Sequence, residues 1–599
     1  GEGTHVRVWS TAERVELVLE SGESRLLEPQ PDGTHAGSWT DLPAGTTYWY
    51  RLDGRGPFPD PASRYQPHGV FGMSSIVDPR GFTWHDDEWR GIELGQAVIY
   101  ELHVGAFTPD GTFAAATARL PELARLGVTA VELMPLADFA GDRNWGYDGV
   151  SLFAPARCYG TPDDLRAFVD TAHRLGLAVL VDVVYNHFGP AGAFHREFSP
   201  HYYSEASSPW GQAINLAGEG SGHVRAFFIE NALMWLHEYH MDGLRLDAIH
   251  ALHDEPGEPF VDALVRAVRE RGPARSVLVT AEDDRNLRRL LLPAAEGGAG
   301  LDAVWADDFH HQVRRALAGD RDGYYADFTG SMEDLATTIR HGWFYRGQPS
   351  AYRNAPRGSD TEGVPRARFI YCVQNHDQIG NRAYGDRLHH TIDLPSWRAA
   401  STLLLCAPAT PLLFMGQEWA ASSPFLYFTD HEPELGVLVT RGRRAEFSRF
   451  EAFRDPVAAA TIPDPQAEST FERSRLDWTE RGREPHASVL RLYEALLALR
   501  KMLQPLGSAP DTIDARALDG DTIGVVRRGA SMTMVAVERM RGAGTVVVPL
   551  EGSRRWRVQL TTEEPAYAPD PQAIGMDLQE ATATIAFSRP GAVVLIGSS

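Results

Sequence analysis

The sequence predicts a multidomain α/β and all-β protein in which a (β/α)8 barrel, the TIM barrel architecture, lies between two small β-sandwich domains. Three observations predict it. Apolar runs alternate with amphipathic helical segments through the middle of the chain, eight such runs can be counted, and short alternating runs separated by turn residues occupy both ends. We therefore divide the chain into residues 1–93, 94–508 and 509–599.

The first part, residues 1–93, shows a period of two and no helical period. Its runs VRVWS, VELVLE and TTYWYRLD are separated by Gly, Pro and Asp, which suits a small antiparallel sandwich. We expect a domain of the carbohydrate-binding type. The stretch at 55–73 is rich in Pro and Gly and should be an ordered loop that leads out of this domain.

The middle part contains eight apolar runs that we predict to be parallel barrel strands, because eight is the number that closes such a barrel. The runs are AVIYELHVGAF (97–107), VTAVELMPL (128–136), LAVLVDVVYNH (177–187), MDGLRLDAI (241–249), SVLVTAEDD (276–284), LDAVWADDFH (301–310), RFIYCVQNHD (368–377) and TPLLFMGQE (410–418). Amphipathic segments predict the helices that connect them; the clearest are 161–176, 223–240, 258–272 and 487–503. Residues 188–222 carry neither period, so we expect an excursion over the barrel mouth.

The last part begins at about Thr512 and returns to alternating runs, such as IGVVRR, MTMVAVERM, GTVVVPL and GAVVLIG. This pattern is typical of short half-buried strands. It predicts a second small β domain at the end of the chain.

Composition and charge limit the kinds of ligand that the protein can bind and the cell compartment in which it is expected. The chain has 57 Lys and Arg against 80 Asp and Glu, a net charge of −23. Nucleic-acid binding depends on cationic contacts to phosphate, so we expect no nucleic-acid partner. Cys158, Cys372 and Cys406 are the only cysteines, which excludes a disulfide framework. We see no signal-peptide pattern and no run of about 18 apolar residues, and we expect a cytoplasmic protein without membrane association.

The stretch DGLRLDAIH (242–250) places two charged residues, Arg245 and Asp247, within an apolar strand. Side chains two apart on a strand point to the same side, so both must face the same environment. In (β/α)8 barrels the functional side chains stand at the C-terminal ends of the strands. Four other predicted strands also end in polar groups: Asp182, Asn186 and His187 on the third, Glu282 on the fifth, Asp307, Asp308, His310 and His311 on the sixth, and Asn375, His376 and Asp377 on the seventh.

Three of these carboxylates, Asp247, Glu282 and Asp377, indicate glycosidic chemistry. Cleavage of an acetal needs a proton on the leaving oxygen and an anion opposite the cationic sugar carbon. Neighbouring strands lie about 4.8 Å apart, close to the separation of about 5 to 5.5 Å between the two carboxyl groups of a retaining enzyme. We expect Arg245 to lower the pKa of Asp247 and crowding among carboxylates to raise that of Glu282.

Each feature also has a purely structural interpretation. Arg245 with Asp247 could be a buried ion pair, and the Asp307–Asp308 pair could be a helix cap. His310 and His311 lack a second ligand group with tetrahedral spacing, and HEYH (237–240) is not the HExxH arrangement. We therefore predict no required metal and no cofactor.

Aromatic residues near the predicted mouth support sugar binding, because the C–H faces of pyranoses pack on rings. Tyr147 is the one least expected in the core, since it stands in the polar loop RNWGYDG after the second strand. The others could equally be core residues of the barrel. They are Trp145, Trp305, Phe309, Phe425, Tyr427 and Phe428.

The stretches DVVYNH, GLRLDAIH, TAEDD and QNHDQ resemble, in order, the four signature regions of the α-amylase superfamily, glycoside hydrolase family 13. The resemblance covers about residues 97–420 and implies that Asp247 is the nucleophile, Glu282 the acid/base and Asp377 the stabiliser of the transition state. It further implies four contacts to the sugar in the cleaved subsite and one on the leaving-group side. The four are His187, Arg245 and His376, with Tyr147 stacking under the ring, and the fifth is His250.

Within that superfamily, the N-terminal domain with ADDFHHQVRRAL, GYYADF and PLLFMGQEWAASSPFLYFTDH resembles the maltooligosyltrehalose trehalohydrolase family. The resemblance implies hydrolysis of the α-1,4 bond next to a terminal trehalose, and maltooligosyltrehalose synthase as pathway partner. Asp308, Phe309 and Trp305 are our candidates for substrate contacts at the sixth strand, the first two reading the trehalose end. The alternatives are a glycogen branching enzyme with the same catalytic groups, and a glycan-binding protein on an inactive fold.

Overall fold

Eight parallel strands close into a barrel in the computed structural model, which describes residues 3–208, 210–255, 257–454 and 456–598. Every strand falls within the run that predicted it, so the (β/α)8 prediction is confirmed. The strands, in chain order, are Ile99–Leu102, Ala130–Leu133, Ala178–Val183, Gly243–Leu246, Leu278–Ala281, Ala303–Trp305, Phe369–Cys372 and Thr410–Phe414. The first strand pairs with both the second and the eighth, which completes the ring.

The strand register brings charged side chains to two neighbouring levels of the barrel. Glu101 on the first strand is opposite Glu132 on the second, and Asp182 on the third is opposite Arg245 on the fourth. All four side chains are buried. Buried charges are stable only when they are paired or hydrogen-bonded. The three buried carboxylates therefore need a compensating cation, and Arg245 is the cation among these four residues.

Helices surround the barrel, and those predicted from amphipathic periodicity are present. The segment predicted at 161–176 is the helix Pro162–Arg174, whose first turn is fixed by a reciprocal Thr161–Asp164 capping box. The α-helices of at least seven residues are Leu120–Leu126, Pro162–Arg174, Ser221–Glu238, Phe260–Arg271, Asp307–Leu317, Met332–His341, Leu394–Cys406, Pro433–Glu446, Glu468–Ser474 and His486–Leu503.

Two parts of the barrel region differ from the prediction. The sixth strand is only Ala303–Trp305, because the helix Asp307–Leu317 begins where the predicted strand 301–310 was to continue. Two aspartates in a first turn favour a helix start through the helix dipole, and this outweighs the apolar run before them. The helix Pro433–Glu446, with Pro at its first position, was not predicted.

The excursion over the barrel mouth contains more regular structure than its sequence indicated. Within the predicted range 188–222, Tyr203–Ser208 and Gly211–Ile214 form an antiparallel hairpin, and the helix Ser221–Glu238 follows. Residue 209 lies outside the described residues. The hairpin carries Trp210 to the barrel mouth, where its ring stacks on that of His187 with centroids 5.1 Å apart.

Both ends of the chain form the predicted β-sheets. The N-terminal sheets are Thr4–Trp9, Thr34–Trp39 and Glu28–Pro29 in one, and Ser24–Leu26, Val15–Leu19, Thr47–Leu52, Arg55–Phe58 and Ser74–Ser75 in the other. The C-terminal sheets are Ile513–Ala517, Thr522–Arg528, Met532–Arg539, Gly591–Ser598 and Arg555–Thr561 in one, and Gly544–Pro549, Thr582–Phe587 and Gly575–Leu578 in the other.

We propose the domain bounds 1–93, 94–508 and 509–599, of which residues 1, 2 and 599 lie outside the described chain. The gap between the long helix that ends at Leu503 and the first C-terminal strand at Ile513 supports the second bound. In the described part of the chain, no helix is both long and apolar enough to cross a membrane.

The C-terminal sheet region is attached to the barrel by a buried ion pair. Arg398, on the helix Leu394–Cys406, donates from Nη2 to Glu563 Oε1 at 2.5 Å, and the two side chains are 1% and 2% exposed. Glu563 also accepts from Arg589 and from the Gln572 backbone. A carboxylate that compensates two guanidinium groups in this way is costly to remove.

We predict that Glu563→Ala destabilises the protein by about 3 to 5 kcal/mol, because it leaves the buried charge of Arg398 unpaired. Urea unfolding followed by tryptophan fluorescence measures the loss. The exposed Glu580 on the same domain provides the control Glu580→Ala, which should leave the transition unchanged. Equal transitions for both variants would show that the pair contributes nothing.

Candidate active site

Arg245 lies at the centre of a group of carboxylates at the C-terminal end of the barrel. Its Nη1 donates to Asp182 Oδ2 at 2.6 Å and to Asp247 Oδ1 at 2.8 Å, and its Nη2 donates to Glu282 Oε2 at 2.6 Å. The Arg245 side chain is fully buried, while those of Asp247 and Glu282 are 11% and 18% exposed. One guanidinium therefore bridges the ends of three strands and presents two carboxylates to the cleft.

Asp247 is held from both of its oxygens. Oδ1 accepts from Arg245, and Oδ2 accepts from Asn186 Nδ2 at 2.8 Å. Asn186 follows the third strand, so the third and fourth strands together fix the orientation of this carboxylate. It cannot turn away from the cleft without losing a hydrogen bond.

The Glu282 side chain is largely buried and lies near other carboxylates. Burial raises its pKa well above the ordinary value, Arg245 opposes this, and the negative charges of Asp247 and Asp377 add to the rise. The predicted rise is therefore present, with burial rather than crowding as its main cause. A carboxyl group that keeps its proton near neutral pH can act as a general acid.

Asp377 stands in the first turn of the short helix His376–Gly380, after the seventh strand. Its Oδ1 accepts from Asn381 Nδ2 at 3.1 Å, and its Oδ2 lies 3.5 Å from His376 Nε2. About a third of the side chain is exposed, 32%, which leaves it free to contact a ligand from the cleft.

His376 is clamped by Glu101 of the first strand. Glu101 accepts from His376 Nδ1 at 2.5 Å and from its backbone N–H at 3.0 Å, while His376 Nε2 lies 2.7 Å from the Tyr147 hydroxyl. Burial lowers the pKa of His376, but the negative charges of Asp377 and Glu101 outweigh it and raise the pKa to about 9. The protonated ring then donates to Tyr147, which donates to Asp182 at 2.6 Å.

Two cavities of about 480 and 310 Å³ meet at these groups. Both are lined by Glu282 and Asp377, and His250 also borders both. Asp247, Tyr147, His187 and His376 line only the larger cavity. Glu282 therefore stands at the junction of a long cleft, with room for sugar units on either side.

The larger cavity has an aromatic wall. It is lined by Trp145, Tyr147, Trp210 and Tyr427. Trp210 is 42% exposed, so part of its ring is available to a ligand in the cleft. Flat rings at this depth suit the C–H faces of glucose units.

The smaller cavity mixes rings with charges and is distinct in chemistry. Tyr324 and Tyr352 supply rings, and Asp284 forms an ion pair with Arg353. Asp307 also lines it, and burial with the charge of Asp377 raises the pKa of Asp307 to about 6. Such a surface offers both stacking and several hydrogen-bonding groups to a compact polyhydroxylated ligand.

The structure brings most of the predicted site residues together. Those that line the cleft are Asp247, Glu282, Asp377, Tyr147, His187, His250 and His376. Arg245 lies directly beneath them. The sequence motifs were therefore sufficient to place these eight side chains on one face of the barrel.

Three predicted substrate contacts are wrong in position. Phe309 is fully buried and stacks on Tyr371 with ring centroids 4.4 Å apart. Asp308 is also fully buried, where it accepts from two backbone N–H groups, at Phe344 and Tyr345, and pairs with Arg357. These contacts hold the adjoining loop and leave no face for a sugar.

Trp305 is the third predicted substrate contact that is wrong in position. It is 5% exposed, and its ring lies beneath the guanidinium of Arg245 at 4.2 Å from the centroid. This is a cation–π support for the central cation rather than a surface for a sugar. Its position at the last residue of a short strand directs it into the barrel interior.

Other cleft residues were not identified from sequence. Trp210 comes from a hairpin whose strands show no clear period. Asp307 was named among the polar groups at the strand ends, with a helix cap as the alternative, but not among the substrate contacts. Tyr324 occurs in GYYADF, a stretch used only for family resemblance. The one sequence signal that could have identified Tyr324 is the run of adjacent aromatic and acidic residues in an otherwise polar loop.

No group of three or more His, Cys, Asp or Glu side chains is arranged to hold a metal ion among the described residues. His310 and His311 are buried, with their Nδ1 atoms 3.1 Å apart, and burial lowers the pKa of both. Asn186 donates to Asp247. These side chains are thus used within the fold.

We predict that Glu101→Gln lowers the pKa of His376 below about 9, because burial then acts against a weaker negative field. The His376 ring signal in ¹³C-histidine-labelled protein, assigned with His376→Asn, should titrate at lower pH.

Glu132→Gln is the matched control. Burial and the neighbouring charge of Glu101 raise the pKa of Glu132 well above its ordinary value, which favours its neutral form. In Glu132→Gln the pKa of His376 should stay unchanged. An unchanged pKa of His376 in Glu101→Gln would contradict the role given to Glu101.

Comparison with known proteins agrees with this geometry. Residues 77–212 match the family described as alpha amylase, catalytic domain. A malto-oligosyltrehalose trehalohydrolase from Deinococcus radiodurans is 46% identical over 508 residues, 84% of this chain and 81% of that protein. One from Arthrobacter ramosus is 44% identical over 553 residues, 91% and 94% of the two chains.

Two further relatives mark the range of the similarity. A crystal structure of a Salmonella typhimurium protein that carries an alpha amylase name superposes with a TM-score of 0.89 at 36% identity, over 100% of this chain and 98% of that one. A 1,4-alpha-glucan branching enzyme from Bacillus caldolyticus is 32% identical, but only over 51% of each chain. Since the trehalohydrolases match over 84% and 91% of this chain at 46% and 44% identity, this chain belongs to the malto-oligosyltrehalose trehalohydrolase family of the α-amylase superfamily.

Proposed function

We propose that this protein is a retaining glycoside hydrolase that cleaves the α-1,4-glucosidic bond next to the terminal trehalose of maltooligosyl trehalose. The products are trehalose and a maltooligosaccharide. One observation carries the proposal: Asp247 and Glu282 are bound to the two ends of the Arg245 guanidinium, where two cavities meet. The names of the relatives that cover most of the chain support the choice of substrate.

In the first step an oxygen of Asp247 attacks the anomeric carbon at the cleaved bond. The bond from that carbon to the leaving oxygen breaks, and Glu282 gives its proton to this oxygen, so that trehalose leaves as a neutral molecule. The raised pKa of Glu282 supports this role, because the group must hold a proton before the step.

In the second step Glu282, now ionised, takes a proton from water while the water oxygen attacks the same anomeric carbon. The bond to Asp247 breaks, its carboxylate is regenerated, and Glu282 is again protonated. Two displacements at one carbon retain the anomeric configuration. Both carboxylates return to their starting states, and the proton count balances over the cycle.

The surrounding residues stabilise the positive charge that develops on the sugar ring. Asp377 is the anion that faces it and orients the ring hydroxyls. His187 and His376 contact the same sugar, Tyr147 packs under it, and Arg245 maintains the charge balance beneath. Their common placement around the larger cavity supports these roles.

We assign the larger cavity to the glucan chain and the smaller one to the departing trehalose. Trehalose is compact and bears hydroxyls on both rings, which suits the mixed surface of Tyr324, Tyr352 and the Asp284–Arg353 pair. His250 borders both cavities and stands beside the bond that breaks. These residues replace Asp308 and Phe309 as our candidates for recognition of trehalose.

The branching transferase remains the second candidate, because it would share the first step and use a sugar hydroxyl instead of water. The match to a branching enzyme over half of the chain favours it less than the trehalohydrolase matches. A glycan-binding protein without activity would not need an acid and a nucleophile bridged by a buried guanidinium.

We further propose a cytoplasmic enzyme that works with a maltooligosyltrehalose synthase, which would supply its substrate, and without nucleic-acid or membrane partners. The free thiols of Cys158, Cys372 and Cys406 suit a reducing compartment. The net charge of −23 disfavours polyanionic partners.

Product analysis tests the activity. Maltotriosyl trehalose should give trehalose and maltotriose in equal amounts, with the new reducing end first appearing as the α-anomer by NMR. Amylose should keep its iodine-staining spectrum. A loss of iodine staining with new α-1,6 branches, and no trehalose from the first substrate, would establish the transferase instead.

We predict that Glu282→Gln lowers hydrolysis of maltotriosyl trehalose by about 10²- to 10⁴-fold, since the leaving oxygen then receives no proton. The same variant should still release fluoride from α-maltosyl fluoride in a burst equal to the enzyme concentration, because fluoride leaves without protonation. Asp247→Ala should show no burst with either substrate. An equal loss on both substrates in Glu282→Gln would remove Glu282 from the role of acid.

A further inference from the structure

The helix Pro433–Glu446, which we call the roof helix, covers the cleft opposite the barrel. Val439, Gly442, Arg443 and Glu446 line the larger cavity, and Glu446 borders the smaller one as well. Gly436 is the one residue of this helix that is buried. Its attachment to the rest of the protein therefore depends on few side chains, and Arg443 makes the most specific contacts toward the active site.

Arg443 is held by two aromatic rings and by two hydrogen bonds. Its guanidinium carbon lies 3.8 Å from the ring centroid of Tyr427 and 4.9 Å from that of Phe447. Its Nη2 donates to the backbone oxygen of Gly380 at 2.7 Å and to Asn381 Oδ1 at 3.1 Å. The roof helix thus contacts the end of the short helix that carries Asp377.

Asn381 connects Arg443 to the catalytic carboxylate. Its Nδ2 donates to Asp377 Oδ1 at 3.1 Å while its Oδ1 accepts from Arg443. A guanidinium can only donate, and a carboxylate can only accept. The two partners therefore select a single orientation of the Asn381 amide, with the oxygen toward the roof helix and the NH2 group toward Asp377.

We infer that Arg443 and Asn381 are positioning residues, through which the seated roof helix holds Asp377 in the orientation that stabilises the transition state. The inference rests on the proposed function, since it assigns a support to Asp377 in that reaction. Neither residue takes part in a bond that forms or breaks. Without Arg443 the amide oxygen of Asn381 loses its donor, so Asn381 and the Asp377 carboxylate that it holds are no longer anchored to the roof helix.

The expected consequence is a loss in turnover rather than in binding. A catalytic group displaced by about 1 Å can cost about 10²-fold in rate. Losing an interaction that is made only in the transition state lowers kcat and leaves KM nearly unchanged. Arg443→Met keeps the apolar stem against Tyr427 and Phe447 and removes the donor, so its kcat should fall by about 10- to 100-fold with KM within about threefold.

The test is a double-mutant cycle with maltotriosyl trehalose as substrate, in the full chain. Arg443→Met, Asn381→Ala and the double variant are compared by kcat and KM. If the two residues act as one relay, the double variant loses no more than the larger single loss. Arg443→Lys, which retains a donor, should recover part of the kcat.

Arg441→Met is the matched control, because Arg441 is an exposed arginine of the same helix. Its kinetics should equal those of the wild type. Losses that multiply in the double variant would overturn the inference, and so would a raised KM at unchanged kcat in Arg443→Met. The wild-type protein is assayed first. If it releases no trehalose, the proposed function itself is wrong, and this result is distinct from a failure of the inference about Arg443 and Asn381.

Discussion

The structure of the active site depends on one buried cation with three carboxylate partners. Arg245 binds Asp182, Asp247 and Glu282 at 2.6 to 2.8 Å, and its own side chain is fully buried. Burying charge is favourable only where partners compensate it, and removing one partner from such a group leaves the others uncompensated. The relative positions of the fourth and fifth strand ends are thus set by electrostatics as well as by backbone hydrogen bonds.

The layers below and beside Arg245 extend this constraint. Trp305 supports the guanidinium from beneath, and a chain of hydrogen bonds runs from Glu101 through His376 and Tyr147 to Asp182. The first, second, third and seventh strand ends are in this way connected to the central cation. A cleft assembled from five or more strand ends keeps its geometry because each polar group is held by another from a neighbouring strand.

Much of this arrangement could be predicted from the sequence because its signals are local. Strand periodicity identified eight strands, and strand-end motifs identified Asp247, Glu282 and Asp377. The errors occurred where one residue of register decides direction. Successive helical residues are rotated by about 100°, so once a helix begins at Asp307, that residue faces the cleft while Asp308 and Phe309 turn inward.

The roof helix and the hairpin that carries Trp210 were beyond sequence reasoning for a different reason. Both are held over the cleft by contacts between segments far apart in the chain, as in the contact of Arg443 with Gly380 and Asn381. Local periodicity does not encode such contacts. The central claim, that Asp247 is the nucleophile beside Arg245, is tested most directly by rapid-quench peptide mass spectrometry of the glycosylated protein. We predict a glycosyl mass on the peptide that contains Asp247; attachment to another carboxylate, or inversion of the product's anomeric configuration without any covalent adduct, would contradict the account.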